Sequence, residues 1–322
     1  MNLLIHDPGP QTTVQDLGRR GALRTGIPPS GPMDREAFLL ANRLVGNADD
    51  AAALECTLIG PRLELADERW VAVTGAAMPV TLNGAAMPRW AAFEVKPGDV
   101  LRLGPAASGV RAYIAVSGGI DTPPAVGSRS TYLRGQLGGH QGRALRKSDV
   151  LPLGPPSGGA PAKVRDRLIP DYTQAPTVRV VLGPQDDRFT ERGISALFEA
   201  PYEMTPQSDR MGARLRGARI EHTRGHDIIS DGVALGGVQV VGDGQPIVLL
   251  ADRQSTGGYT KIGTVCSFDI GRVCQVKPGQ RLSFTRVTVA EAHELLRAHR
   301  AGLDHAVHWR RRHDHRDSRQ RL

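Results

Sequence analysis

Glycine and proline punctuate this chain so often that no long uninterrupted element fits it. The 322 residues include 38 Gly and 23 Pro, and such breakers close a segment after a few residues. Short elements between turns suit β-structure better than a helical bundle. Aromatic residues make up 4% of the chain against 40% hydrophobic, so the core must be aliphatic. Strand-like runs cover Leu3–His6, Trp70–Thr74, Val80–Leu82, Val100–Leu103, Arg111–Val116, Val178–Leu182, Val238–Val241, Ile247–Ala251 and Leu282–Thr285. Several alternate with period two, whereas Ile247-Val-Leu-Leu-Ala251 is continuously apolar and reads as a strand buried on both faces.

Helices are few. Residues 32–45 place Ala37, Leu40, Ala41 and Leu44 on one face, with Pro32 in the first turn, Asp34 at the positive end and Gly46 as the stop. Further helices are expected over Asp49–Leu58, Phe189–Phe198 and Val289–His299, the last opened by the capping box Thr288-x-x-Glu291. The fold class is therefore mainly β: two β-rich halves with a few peripheral helices. The halves are expected at 1–154 and 177–288, joined by a Pro/Gly-rich linker at 155–176 and followed by a helix at 289–300. Each half carries a similar phrase, Val95-Lys-Pro-Gly-Asp-Val-Leu-Arg-Leu103 and Val276-Lys-Pro-Gly-Gln-Arg-Leu-Ser-Phe284. Both read as a Pro-Gly turn delivering a strand, with Lys147–Leu153 as a shorter third copy. This is either a duplication or a common turn-to-strand phrase.

Charge and motifs exclude several function classes. The formal charge is +8, and half of it lies in residues 300–322, where seven Arg face three Asp. The segment 301–322 is expected to be a solvated, disordered basic tail. No zinc-finger spacing, RNP-like motif or aromatic-studded basic stripe supports nucleic acid as a partner. Three cysteines without a C-x-x-C fit a reducing compartment. No run approaches the ~20 apolar residues of a membrane span, and the N-terminus lacks a signal-peptide pattern, so a cytoplasmic location is expected. The P-loop, the dinucleotide fingerprint, the G-x-S-x-G elbow and the zincin motif are all missing. His222 and His226 read as exposed loop histidines, so no metal site is expected.

Two segments look chemical. In Gly242–Lys261 a buried strand ends in Asp252-Arg253-Gln254-Ser255-Thr256, and Gly257-Gly258 then permits a tight backbone path with amides free for a ligand. Tyr259 and Lys261 follow, and Lys261 is one of only five lysines beside 36 arginines. The competing reading is a hairpin with a polar tip. In Met204–Leu215, Ser208, Asp209 and Arg210 could form a charge-assisted cluster for a carboxylate or phosphate, or simply a turn held by the Asp side chain. Residues 26–34 lead into a helix N-terminus that suits an anion or a rigid turn. Asp16 is a local ion-pair candidate for Arg19.

Taken together, TTVQDLGRRG, GIPPSGPMD, ANRLVGN, LECTLIGPRLEL, YIAVSGGID, GSRSTYLRG, TPQSDRMGARL, DGQPIVLLADRQSTGGYTKIGTV and VKPGQRLSF, in this order across residues 12–284, resemble a known family. It is called allophanate hydrolase subunit 2, or the carboxyltransferase subdomain of urea carboxylase, and includes the C subunit of the prokaryotic 5-oxoprolinase. The resemblance implies a cyclophilin-like β-barrel architecture, with the barrel in the C-terminal half. It also implies two partner chains from that enzyme, the A subunit plus the carboxyltransferase-like B subunit. The implied reaction opens 5-oxo-L-proline to L-glutamate with ATP hydrolysis, the ATP held here or by a partner subunit. Relatives of the urea carboxylase branch transfer a carboxyl group from carboxybiotin, with ligand contacts in the loop matching Asp252–Tyr259. This chain lacks a biotin-accepting Met-Lys-Met, so it carries no covalent biotin, and its Arg253-Gln254 and Lys261 look like the 5-oxoprolinase branch.

The residues expected at the catalytic centre are Asp252, Ser255 and Lys261. Those expected to bind substrate are Arg253, Gln254, Thr256, Gly257, Gly258, Tyr259, Ser208, Asp209 and Arg210. Glycine amides with Lys261 or Arg253 would stabilise charge developing on the lactam oxygen, and Arg210 would hold the substrate carboxylate. Two other functions fit the resemblance: a carboxyltransferase working with a separate biotin carrier, and a regulatory protein that sequesters a partner.

Overall fold

The first half is built from β1 (Asn2–Asp7), β2 (Thr12–Gln15), α1 (Arg35–Leu44), β3 (Ala53–Thr57), β4 (Arg62–Leu65), β5 (Arg69–Gly75), β6 (Val80–Leu82), β7 (Ala85–Met87), β8 (Ala92–Val95), β9 (Val100–Leu103), β10 (Arg111–Val116) and β11 (Val150–Pro152). These strands form two antiparallel sheets, ordered β11-β1-β4-β9-β6-β7 and β2-β3-β10-β5-β8. Alternation puts Leu54, Cys56, Ala112 and Ile114 into the core between the sheets. The intervening residues Glu55, Thr57, Arg111 and Tyr113 therefore project from the other face of the second sheet. There α1 packs, with Phe38 edge-on to Tyr113 at 6.0 Å.

The structure, a computed structural model, describes residues 1–309. Its second half continues with β12 (Ala162–Val164), β13 (Thr177–Leu182), α2 (Glu191–Glu199), β14 (Tyr202–Met204), β15 (Gly212–Arg216), β16 (Asp227–Gly232), β17 (Gly237–Val240), β18 (Pro246–Leu249), β19 (Thr256–Tyr259), β20 (Lys261–Val265), α3 (Ile270–Cys274), β21 (Arg281–Arg286), α4 (Val289–Asp304) and β22 (Val307–Trp309). Seven of these strands close into a barrel in the order β13-β20-β17-β18-β15-β14-β21. Closure leaves no free sheet edge. Its interior holds Val178, Val180, Val238, Val240, Val248 and Ile262. The mainly β class and the barrel are thus both present. Outside the barrel, β16 and β19 form a two-stranded ribbon of their own.

The repeated phrase has a shared geometry. Gly98 and Gly279 occupy the same turn position with φ of 83° and 84°, the left-handed value a type II turn requires there. Asp99 N–H donates to the Lys96 carbonyl and Gln280 N–H to the Lys277 carbonyl. The Asp99 and Gln280 side chains accept from the Lys96 and Lys277 amides in return. Arg146–Asp149 repeats the pattern, with Ser148 at φ 71° in the glycine's place.

Four expectations require correction. Residues 53–57 of the expected helix Asp49–Leu58 form β3, because Ala53, Leu54 and Cys56 are drawn into the ladders with β2 and β10. The linker contains structure: β12 pairs with β22. Residues 301–309, read as the start of the tail, complete α4 and supply β22. The rest of the expected disordered tail, 310–322, lies outside the described residues. Helix α1 starts at Arg35 with Asp34 as its N-cap, accepting from the Ala37 amide, so Pro32 precedes the helix. The Thr288/Glu291 capping box forms in full.

Candidate functional site

Strands β15 and β18 pair so that the backbone contact runs on past both ladders. The Asp252 amide donates to the Arg210 carbonyl at 2.8 Å, which sets their side chains beside each other. Arg210 Nε then donates to Asp252 Oδ2 at 2.9 Å and Nη2 to Oδ1 at 3.2 Å. From the first half, Glu55 on β3 accepts from Arg210 Nη1 at 2.5 Å, and the Gly31 carbonyl accepts from Nη2 at 2.7 Å. Glu55 also accepts from the Tyr113 hydroxyl and the Met33 amide, each at 2.8 Å. One guanidinium therefore ties two carboxylates, one from each half.

All three groups are buried. Burial alone would raise the Glu55 pKa, but Arg210 and Arg111 outweigh it and hold the carboxyl below its ordinary range. For Arg210 burial opposes the charge, and Asp252 and Glu55 more than restore it, raising its pKa further. Arg111 adds a weaker contact to Glu55 at 3.4 Å and one to Thr57 Oγ1 at 3.0 Å.

This network floors a cavity of about 350 Å³ at the junction of the halves, with walls that include Thr57, Arg111, Met204, Met211 and Cys274. Burial pushes the Cys274 thiol up to about 12, so it is no ready nucleophile. A second depression, a groove of about 660 Å³, runs over the outer face of β15, β17 and β18. The two share Arg134, Asp209 and Met211 on their walls. Gln239, Gln254 and Tyr259 line the groove.

The residues expected from sequence are only partly brought together. Arg210 and Asp252 meet in the cavity, and Gln254 and Tyr259 line the groove. With four of its five N–H groups engaged, Arg210 organises protein carboxylates, so it is not the expected anchor for a substrate carboxylate. Ser208 and Asp209 hold a turn: Ser208 Oγ accepts from the Arg214 amide, and Asp209 Oδ1 from those of Met211 and Gly212. Arg253 points elsewhere, donating to the Val233 and Leu250 carbonyls beside a separate cavity with Phe268 and Ala251. Burial lowers its pKa.

The expected tight path at Gly257-Gly258 is an extended strand instead, since Thr256–Tyr259 pairs with β16 across a register shift. Ser255 accepts at its backbone carbonyl from the Val233 amide. Lys261 is buried, with Asp231 at 3.6 Å as its ion-pair partner.

His222 and His226 pack into a ring cluster rather than lying free: His222 against Phe189 at 4.6 Å, His226 against Tyr259 at 5.9 Å. Among the described residues no group of three His, Cys, Asp or Glu side chains could hold a metal. No helix among them is long and apolar enough to cross a membrane. Asp16 binds the hydroxyls of Ser128 and Ser130 and the Arg129 amide, while Arg19 donates to the Ala125 and Ser130 carbonyls instead of to Asp16.

Sequence reasoning missed Glu55, Arg111, Gln239 and Gln275. A lone acid inside the apolar run Ala51–Cys56 was a usable signal for Glu55.

Residues 25–286 match the family model for the carboxyltransferase domain, subdomains A and B. The chain belongs to this carboxyltransferase family. Among carboxyltransferase-family relatives, the 5-oxoprolinase C subunit of Escherichia coli (strain K12) is 37% identical over 294 residues, covering 90% of this chain and 93% of that one. The corresponding 5-oxoprolinase C subunit of Haemophilus influenzae is 34% identical, with 93% and 96% covered. The urea amidolyase of Lachancea kluyveri is also 34% identical over 93% of this chain, which spans only 18% of that protein. The crystal structure of the K. lactis urea amidolyase superposes with a TM-score of 0.90 at 34% identity, over 94% of this chain and 20% of that one. The carboxyltransferase fold described above is thus shared by both branches, and its presence in part of a 5-oxoprolinase points to a role in an enzyme complex.

Proposed function

We propose that this chain is the C subunit of a heteromeric, ATP-dependent 5-oxoprolinase and acts with the A and B subunits to open 5-oxo-L-proline to L-glutamate. The observation that carries the reading is mutual coverage. The chain and its two bacterial 5-oxoprolinase relatives span each other almost end to end, whereas it spans about a fifth of the urea amidolyases. ATP belongs to the reaction, bound here or by a partner subunit. Three buried free cysteines fit a cytoplasmic location.

The chemistry asks for an enclosed, charge-organised site. A lactam resists water until its carbonyl is phosphorylated or polarised, and charge then grows on oxygen. A dry cavity with fixed dipoles stabilises such charge without reorganising. In this reading the Arg210-held Asp252 carboxylate orients the reacting group at the floor of the junction cavity.

The test is reconstitution: this chain, the two partner subunits, and ATP should release glutamate from 5-oxoproline, and leaving out any one component should abolish it. A correctly assembled complex that makes no glutamate refutes the reading. The close superposition on urea amidolyase keeps a second reading in view, a carboxyltransferase served by a separate biotin carrier. Avidin inhibition and bicarbonate dependence of the assembled activity would establish that one instead.

A further inference from the structure

On the outer face of the barrel two polar nitrogens are shut away without a hydrogen-bond acceptor: Gln239 Nε2 and Lys261 Nζ. They are neighbours. Gln239 pairs with Lys261 across the β17/β20 ladder, at a register shift that inserts one extra residue, the kind of bulge that re-aims a side chain. Val238, Val240 and Ile262 fill the barrel interior, so Gln239 projects outward with Lys261. Both residues are at least 97% buried, covered by the β16/β19 ribbon.

A buried, unpaired amide donor costs about 1–3 kcal/mol, and a charged group more. The nearest anion to Lys261 is Asp231 on the ribbon, at 3.6 Å and 58% exposed, too far for a hydrogen bond and largely screened. Gln239 Oε1 has only a long 3.5 Å contact from Gln254 Nε2. Two such donors, carried by residues paired across neighbouring strands, suit the two oxygens of a carboxylate.

The cover is suited to yield. Residues 227 and 229–232 of β16 are exposed, and the ribbon's register is irregular. Over Gln239 lies Gly257, where a Cβ would stand 2.5 Å from Nε2, so the glycine lets the ribbon close flat on the amide. Gln239 and Gln254 also line the open groove, which gives a small molecule a route inward.

We infer that Gln239 and Lys261 form a carboxylate-binding subsite, gated by Gln254 and the glycine segment of β19. Resting on the 5-oxoprolinase reading, this gives Lys261 the anchoring role that Arg210 cannot fill, rather than a catalytic one. The ligand class is a small monocarboxylate, with one oxygen toward each donor.

Lysine side-chain ¹⁵N NMR of the full-length protein tests this without any turnover, because only five lysines contribute and Lys261→Arg assigns the signal. The probes are L-5-oxoproline, propionate (the carboxylate without the lactam) and 2-pyrrolidinone (the lactam without the carboxylate). The Lys261 signal should move with the first two, which should compete, and stay fixed with the third. Gln239→Met, which keeps the size and removes the donor, should weaken both carboxylates about 10- to 100-fold. A Lys261 signal that ignores both carboxylates, or responds equally to pyrrolidinone, overturns the inference. Failure of glutamate production alone would refute the enzyme reading and leave this subsite standing.

Discussion

Arg210 shows how far one residue's chemistry depends on where its partners lie. Its carboxylate partner on the barrel is 42 residues away and its partner on the first half 155. A buried pair can lose to a hydrophobic replacement of equal fit, but removing one member of it strands a charge. Arg210→Ala should therefore cost about 3–5 kcal/mol, read as a lower urea midpoint in equilibrium unfolding.

The same network sets a pH response. Glu55 is held below its ordinary pKa in the folded state, so its stabilisation is present above the unfolded value and is lost as pH falls through the folded one. Stability should decline on acidification below about pH 4.5, the ordinary Glu value, and the decline should be shallower in Glu55→Gln. The residue types at this site were legible: Arg210 and Asp252 both stand out in sequence. Their pairing was not, because it depends on β15 lying beside β18, and Glu55 was hidden in a segment misread as helical.

At the scale of elements, α4 has no fully buried residue, so it is held by partial packing of Leu303 on the core and by side-chain contacts. His299 bonds Glu36 of α1 and stacks on Phe268 at 5.6 Å, and Arg43 donates to the Leu303 carbonyl at 3.0 Å. The Glu36 hydrogen bond raises the His299 pKa, against the opposing effect of burial. Burial in turn raises Glu36, while His299 pulls it back. A raised histidine contributes stability that is full below its unfolded pKa of about 6.5 and is lost as pH rises through the folded value. Hydrogen exchange of α4 should be slower at pH 6 than at pH 8.5 after correction for intrinsic rates, and His299→Gln should remove that difference. The capping box made the start of α4 readable from four residues, whereas strands of three residues such as β7, β12 and β14 carry too little period-two signal alone. Residues 53–57 became a strand because β2 and β10 flank them, which no local propensity encodes.

Across the whole molecule the two halves are coupled by polar groups as well as by packing. Gln275, at the end of α3, accepts from the Val110 and Arg111 amides at 2.8 and 2.9 Å, and donates to Asp34 and the Arg111 carbonyl at 2.9 Å each. Lys277 Nζ donates to the Ala106 and Ala107 carbonyls. Gln275→Ala leaves buried amides without an acceptor and should destabilise by about 1–3 kcal/mol, with both halves still unfolding in one transition. Two β-rich halves were legible from turn spacing and from the repeated Lys-Pro-Gly phrase. The cavity between them was not, since it is made by the outer face of a sheet in one half and the end of a barrel in the other.

The most direct measurement is the rate of ATP-dependent glutamate formation by the reconstituted three-component complex carrying Asp252→Asn in this chain. The substitution keeps the shape and removes the charge that Arg210 holds. Assembly, followed by size-exclusion chromatography, should persist while kcat/KM for 5-oxoproline falls on the order of 100-fold. Full activity in an intact complex would mean that the reaction centre lies elsewhere and would contradict the account.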